Sequence, residues 1–204
     1  MSDQLKNALT EALEEPGVLG GRRFTHETVE GLDFSELDCR RVIFQSCRFV
    51  NCDFSGAAFY DCIFQECEFQ SCRFTASFWK STRLEGCKAD GCDFRRARIR
   101  ESVLDRSLFR YANFSGSVWD RAFACGCDLK EASLTEMKLT ATEWSATDLT
   151  GAELCRSSLK GMDLTSCTLD RIVLTEGCGE LKGVKIAASQ AAVVAQILGI
   201  EVED

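Results

Sequence analysis

Thirteen cysteines, one histidine and 32 acidic residues are the side chains of this 204-residue chain that could do chemistry. Cysteine at such density means a disulfide framework in a secreted protein, and metal or thiol chemistry in an intracellular one. A Cys/His metal centre needs ligands grouped at short, fixed spacings, yet His26 is the only histidine. Nine of the thirteen cysteines instead follow one period of five: Cys47, Cys52, Cys62, Cys67, Cys72, Cys87, Cys92, Cys127 and Cys167. A cysteine recurring in that way acts as a small hydrophobe. Cys125, Cys155 and Cys178 fall outside that column and are the candidate reactive thiols. The carboxylates converge on no nucleophile or base, and no glycine-rich phosphate loop of standard spacing occurs. The expectation is no catalytic residue, no metal and no cofactor.

The element that carries this period must itself repeat every five residues. Every fifth position from Phe24 to Leu174 is apolar, 31 in succession without an insertion, among them Phe44, Phe54, Phe74, Phe94, Trp119, Leu134 and Leu154. Two residues before these lies a second column that is mostly small, as in Cys47, Ala57, Ser77, Ala97 and Ser117. The other three columns are mostly polar, Gly included. A period of five fits neither the ~3.6 of a helix nor the 2 of a strand, so it describes a coil read unit by unit. Each unit sends one large and one small side chain inward and three residues outward.

Units such as Cys52-Asp53-Phe54-Ser55-Gly56, Ala112-Asn113-Phe114-Ser115-Gly116 and Ala152-Glu153-Leu154-Cys155-Arg156 resemble the pentapeptide-repeat family. The resemblance implies an all-β solenoid: a right-handed, quadrilateral parallel β-helix with four units per turn. Residues 20 apart would then stack at the inter-strand spacing of ~4.8 Å. Polar backbone at the ends of such a rod needs caps. Leu5, Ala8, Leu9, Ala12 and Leu13 share one helical face, with Ser2 as N-cap and Pro16-Gly17 as the stop. Near the other end the frame fails at Gly177 and Gly179, Val184 falls back into it, Ser189–Leu198 reads as a helix closed by Gly199, and Ile200-Glu201-Val202 alternates like a strand. The layout is an N-terminal capping helix (1–16), a β-helix (22–176) and a C-terminal cap and dimerisation module (177–204).

Gly183-Val184-Lys185, Gln190-Ala191 and Leu198-Gly199-Ile200 resemble the C-terminal module of the Qnr and MfpA-type members. That resemblance implies a homodimer joined head to head, a long rod acting on DNA gyrase and topoisomerase IV and protecting them from quinolones. The unbroken frame leaves no room for the projecting loops that some Qnr members use. The C-terminal helix is apolar around most of its circumference, which places Val193, Val194, Ile197, Leu198 and Ile200 in the dimer interface.

Charge bears on the partner. The net charge of −8 argues against direct nucleic-acid binding. Duplex DNA carries about 22 charges over the ~37 Å expected of this rod, so only partial DNA mimicry is expected. The charge is unevenly spread: residues 1–79 sum to −6, 80–121 to +4 and 122–204 to −6. Asp128, Glu131, Glu136, Glu143, Asp148, Glu153 and Asp163 are therefore the candidate acidic partner surface. Ile43, Ile63, Val103 and Phe123 share one outward column, a candidate apolar patch that either meets a partner or lies under the N-terminal helix. It keeps open the alternative of a generic scaffold with an unrelated partner. No apolar run reaches the ~20 residues of a membrane span and the N-terminus lacks signal-peptide order, so a cytoplasmic location is expected.

Overall fold

The computed structural model describes residues 4–14 and 17–203. Ser2, Pro16 and the side chain of Leu13 lie outside the described residues. Helix α1 (Gln4–Glu14) precedes a four-walled parallel β-helix, and helix α2 (Ala191–Ile197) follows it. The first wall is a seven-stranded sheet running from Val18–Gly20 to Lys138–Thr140, and the second a seven-stranded sheet from Arg23–Thr25 to Glu143–Ser145. The third wall has three strands, Thr28–Glu30, Arg48–Val50 and Glu68–Gln70, and continues through Lys88, Leu108, Asp128, Asp148 and Thr168 as single bridges. The fourth is bridges alone, Asp33 through Val173. Partners are 20 residues apart throughout these walls, as in Ile43 with Ile63 or Arg98 with Val118. The coil starts at Val18–Gly20, four residues before the expected boundary at 22, because Leu19 already takes the large inward position and its strand pairs with Asp38–Arg40.

The inward columns explain the sequence. On the fourth wall Phe34, Phe54, Phe74, Phe94 and Phe114 form one ladder with centroids 5.0, 5.0, 4.8 and 4.7 Å apart. Rings on adjacent walls meet edge to face instead, Phe44 to Phe49 at 5.6 Å and 76°. Both arrangements suit the aromatic quadrupole. The small column is small because it lies beside the corners, and it is rich in Cys, Ser and Thr because a short side chain there reaches the backbone. Cys67 Sγ donates to the carbonyls of Phe44 at 3.3 Å and Gln65 at 3.5 Å. Thr82 Oγ1 makes the same two contacts, to Phe59 at 3.1 Å and Lys80 at 3.2 Å. Two residues beyond nearly every large side chain the chain turns through a left-handed conformation, Ser166 and Glu176 being exceptions; His26 stands at such a corner with φ of 56°. Histidine is among the residues enriched there, so its placement has a backbone cause.

α1 buries Leu5, Ala8, Leu9 and Ala12 and packs on the Val18–Gly20 and Thr28–Glu30 strands. Those strands belong to opposite walls of the first coil. The helix therefore crosses the open end and does not cover Ile43 and Ile63.

The C-terminal end departs from the expected frame. Asp163 bridges Lys185, a separation of 22 residues where 20 holds elsewhere, and the Leu164 N–H donates to the Lys185 carbonyl at 2.8 Å. Two residues have been inserted. Val184 consequently stacks over Met162 in the small column, and Leu181 and Ile186 follow Leu159 and Leu164 in the large one. No strand forms at Ile200-Glu201-Val202, which is exposed and irregular.

Two side chains close this end. The buried carboxylate of Glu180 accepts from the Arg156 N–H at 2.8 Å and from Thr175 Oγ1 at 2.5 Å. In preceding coils the equivalent N–H finds a carbonyl, as Glu136 finds that of Cys155 at 2.9 Å. Glu180 thus replaces the carbonyl of Thr175, which turns away to accept from the Cys178 N–H at 2.9 Å. Gln190 Nε2 then donates to the carbonyls of Leu164 at 2.9 Å and Cys167 at 2.6 Å, while its Oε1 accepts from the Ala187 N–H. The last coil is capped by an amide rather than by another coil.

Candidate functional site

All thirteen cysteines are free thiols, and ten are buried. Burial pushes the Cys62 and Cys92 thiols up to about 11 and Cys127 to about 12, far from the thiolate form that reacts. Cys125 is exposed, Cys155 and Cys178 partly so. Alkylation of the native protein with a maleimide should therefore label Cys125 first, Cys155 and Cys178 more slowly, and the other ten only on unfolding; mass spectrometry of time points checks the order. Among the described residues no three His, Cys, Asp or Glu side chains are placed to hold a metal ion. The coil interior is filled: the void beside Trp79, Leu84 and Ile99 is about 10 Å³, against the ~300–1,000 Å³ of a ligand pocket. Function must lie on the outside.

The seven candidate acids do not share a surface. Asp128, Asp148 and Glu131 are on or beside the third wall, Glu136 and Glu153 on or beside the fourth, Glu143 and Asp163 on the second. Five have a cation within 4.0 Å. Lys130 Nζ lies 3.8 Å from Asp128 and 3.0 Å from Asp148, Arg156 2.7 Å from Glu136, Arg171 4.0 Å from Glu131 and Lys185 2.7 Å from Asp163. Glu153 accepts from Ser133 Oγ at 3.4 Å, and Glu143 is exposed. The negative region expected of the C-terminal half is thus interleaved with four cations, one of which, Lys130, is shared by Asp128 and Asp148, and it remains net negative. The same ladder runs along the whole rod, in Asp53–Arg73, Glu68–Lys88 and Glu101–Arg121, each one coil apart.

The apolar column on the second wall is also interrupted. Ile43 lies beside Ile63 and Val103 beside Phe123, but Arg83 stands between the two pairs. Three of the four are half-buried, and Phe123 is 38% exposed.

At the C-terminal edge Val193, Val194 and Ile197 are half-buried, Ile197 against the coil core, while Leu198 is 52% and Ile200 54% exposed. Val202, not singled out from the sequence, is exposed beside them at 44%. Its alternation with Ile200 was the available signal. The capping roles of Glu180 and Gln190 had none, since each depends on which backbone groups the insertion leaves open. No helix among the described residues is long and apolar enough to cross a membrane.

A four-walled coil with this inward pattern has known counterparts. The pentapeptide-repeat model matches in eight copies, over residues 33–75, 107–143 and 138–171, just over half of the chain. The chain belongs to the pentapeptide-repeat family. Among solved structures, a trypsin-treated variant of QnrB1, a plasmid-mediated fluoroquinolone resistance protein, is 26% identical with a TM-score of 0.54, covering 92% of this chain and 99% of that one. A second trypsin-treated QnrB1 variant is 21% identical with a TM-score of 0.48, covering 90% and 100%. No curated protein matches in sequence.

Proposed function

We propose that this protein is a non-enzymatic interaction protein that binds DNA gyrase and topoisomerase IV and modulates their response to quinolones. The observation that carries the reading is the similarity to the fluoroquinolone resistance protein QnrB1 along nearly the full length of both chains. Fold alone does not transfer function; what supports the reading is a likeness that covers 92% of this chain and 99% of that one. The exposed Leu198, Ile200 and Val202 support a head-to-head homodimer, because a self-complementary apolar edge is what a twofold contact requires. Recognition would rest on the shape of the rod more than on its charge. The paired carboxylates leave little of a phosphate-like line, and DNA mimicry is at most local, at Glu143 and Glu153.

Added at micromolar concentration to purified gyrase, the protein should alter the yield of ATP-dependent supercoiling or raise the fluoroquinolone concentration that halves it. No change in either arm defeats the reading. Leu198→Asp should sediment as a monomer and lose the effect. The adjoining Ile43 and Ile63 support a second reading, a scaffold for an unrelated protein through the second wall. Charging those two residues would then abolish binding to that partner and leave supercoiling untouched.

A further inference from the structure

We infer that the first wall is a docking surface for an acidic, extended segment of a partner protein. The outward positions of its seven strands carry five cations, Arg40, Lys80, Arg98, Arg100 and Lys138, against two acids, Asp38 and Asp120. On each of the other three walls acids outnumber bases. The two acids are already engaged, Asp38 with Arg40 at 2.6 Å and Asp120 with Arg100 at 3.1 Å. Lys80, Arg98 and Lys138 enter no ion pair among the described residues; seven other cations, Arg83 and Arg96 among them, are also unpaired there, but none of those stands on the seven strands of this wall. The three on the wall sit on neighbouring strands: Lys80 is in register with Arg100, and Arg98, Val118 and Lys138 follow one another in a single column.

The occupant follows from charge and surface chemistry. From Arg40 to Lys138 is five strand steps, about 24 Å, which about eight residues of extended chain would span. Half-buried Ala58, Phe78 and Val118 lie among the cations in the same outward column. A segment alternating acidic and apolar side chains finds a partner for both. A nucleic acid fits less well. The net charge of −8 and three acid-rich walls repel a polyanion at distance. The Tyr60 ring offers no bare face for base stacking, with the Arg40 guanidinium 5.4 Å from its centroid and the Phe78 ring 5.5 Å away. The surface is independent of which enzyme the rod binds through its other walls.

Fluorescence anisotropy with a labelled peptide of about eight alternating Glu and Leu residues tests the surface. The protein should bind it, more weakly as salt rises past the point where the screening length falls below ~8 Å. The double change Arg98→Glu and Lys138→Glu should weaken binding about tenfold or more, while Glu143→Lys on the second wall should leave it within about twofold. All three positions are exposed, and thermal melts would verify folding. Equal binding by the double variant, or no binding by the unaltered protein, overturns the inference. So does a labelled DNA duplex that binds more tightly than the peptide and is lost in the same variant, which would assign the wall to nucleic acid.

Discussion

Phe74→Ala should lower the unfolding free energy by about 3–5 kcal/mol, the range for emptying a large aromatic site that cannot collapse. The ring is fully buried in the middle of the fourth-wall ladder, 5.0 Å from Phe54 and 4.8 Å from Phe94, with Phe69 edge-on at 5.3 Å and Trp79 at 5.5 Å. The hydrogen bonds that surround it, such as the Phe74 N–H to the Asp93 carbonyl at 2.7 Å, hold the wall in place and keep the hole open. In a solenoid each coil touches only its neighbours, so a weak layer also divides the cooperative unit. Urea unfolding should therefore show an earlier midpoint and a broadened transition. Phe74→Leu should cost far less, about 1–2 kcal/mol, because a branched aliphatic side chain retains most of the buried contact. The same wall accepts leucine at Leu134 and Leu154, both fully buried. A loss below about 1 kcal/mol for the alanine variant would show that the walls collapse into the vacated site rather than hold it open.

The period of five made the coil legible before any coordinates, because inward and outward positions differ in size and polarity at every unit. The pairing of charges was legible too, had the sequence been read at 20 residues: Asp53 with Arg73, Glu68 with Lys88 and Glu136 with Arg156 are all one coil apart. Read by region, the same carboxylates suggest one continuous acidic surface, whereas the folded rod spreads them over three walls with cations between them. The C-terminal register was not legible. Val184 is apolar in both frames, and only the backbone bonds to Glu180 and Lys185 reveal that two residues were added. The outer apolar residues Ile43, Ile63, Val103 and Phe123 do share a column, but Arg83 falls within it and divides the patch. Surfaces of this fold are fixed by strand neighbours, which a list of residue types leaves out.

Glu180→Ala should open the C-terminal coil. The variant removes a buried carboxylate that accepts from the Arg156 N–H at 2.8 Å and from Thr175 through both its N–H at 3.3 Å and its hydroxyl. Hydrogen bonds to a charged acceptor contribute about 1.5–3 kcal/mol, and their loss leaves the part-buried Arg156 amide without its partner. Hydrogen exchange should report the loss at Arg156, Leu159 and Gly161, with the Phe ladder unchanged, because opening at one end of a solenoid need not propagate. The same site sets an acid limit. Burial by itself raises the Glu180 pKa, but the bonds from Thr175 and the Arg156 N–H outweigh it and hold the group below the usual carboxylate range. Asp163, hydrogen-bonded by Lys185, is lowered further, to about 2. Both groups are depressed on folding. Their contribution is therefore complete above the unfolded carboxylate values of ~3.9–4.3 and declines as the pH falls through the folded ones. Protection of the amides at this end, measured against the unstructured-chain exchange rate at the same pH, should fall between about pH 4 and pH 2, ahead of the rest of the rod. Glu180→Gln keeps the Oε1 acceptor without the charge, so it should retain most of the protection and flatten the acid dependence. If alanine and glutamine variants open alike, it is the carboxylate's charge, rather than the acceptor replacing the Thr175 carbonyl, that holds the last coil shut.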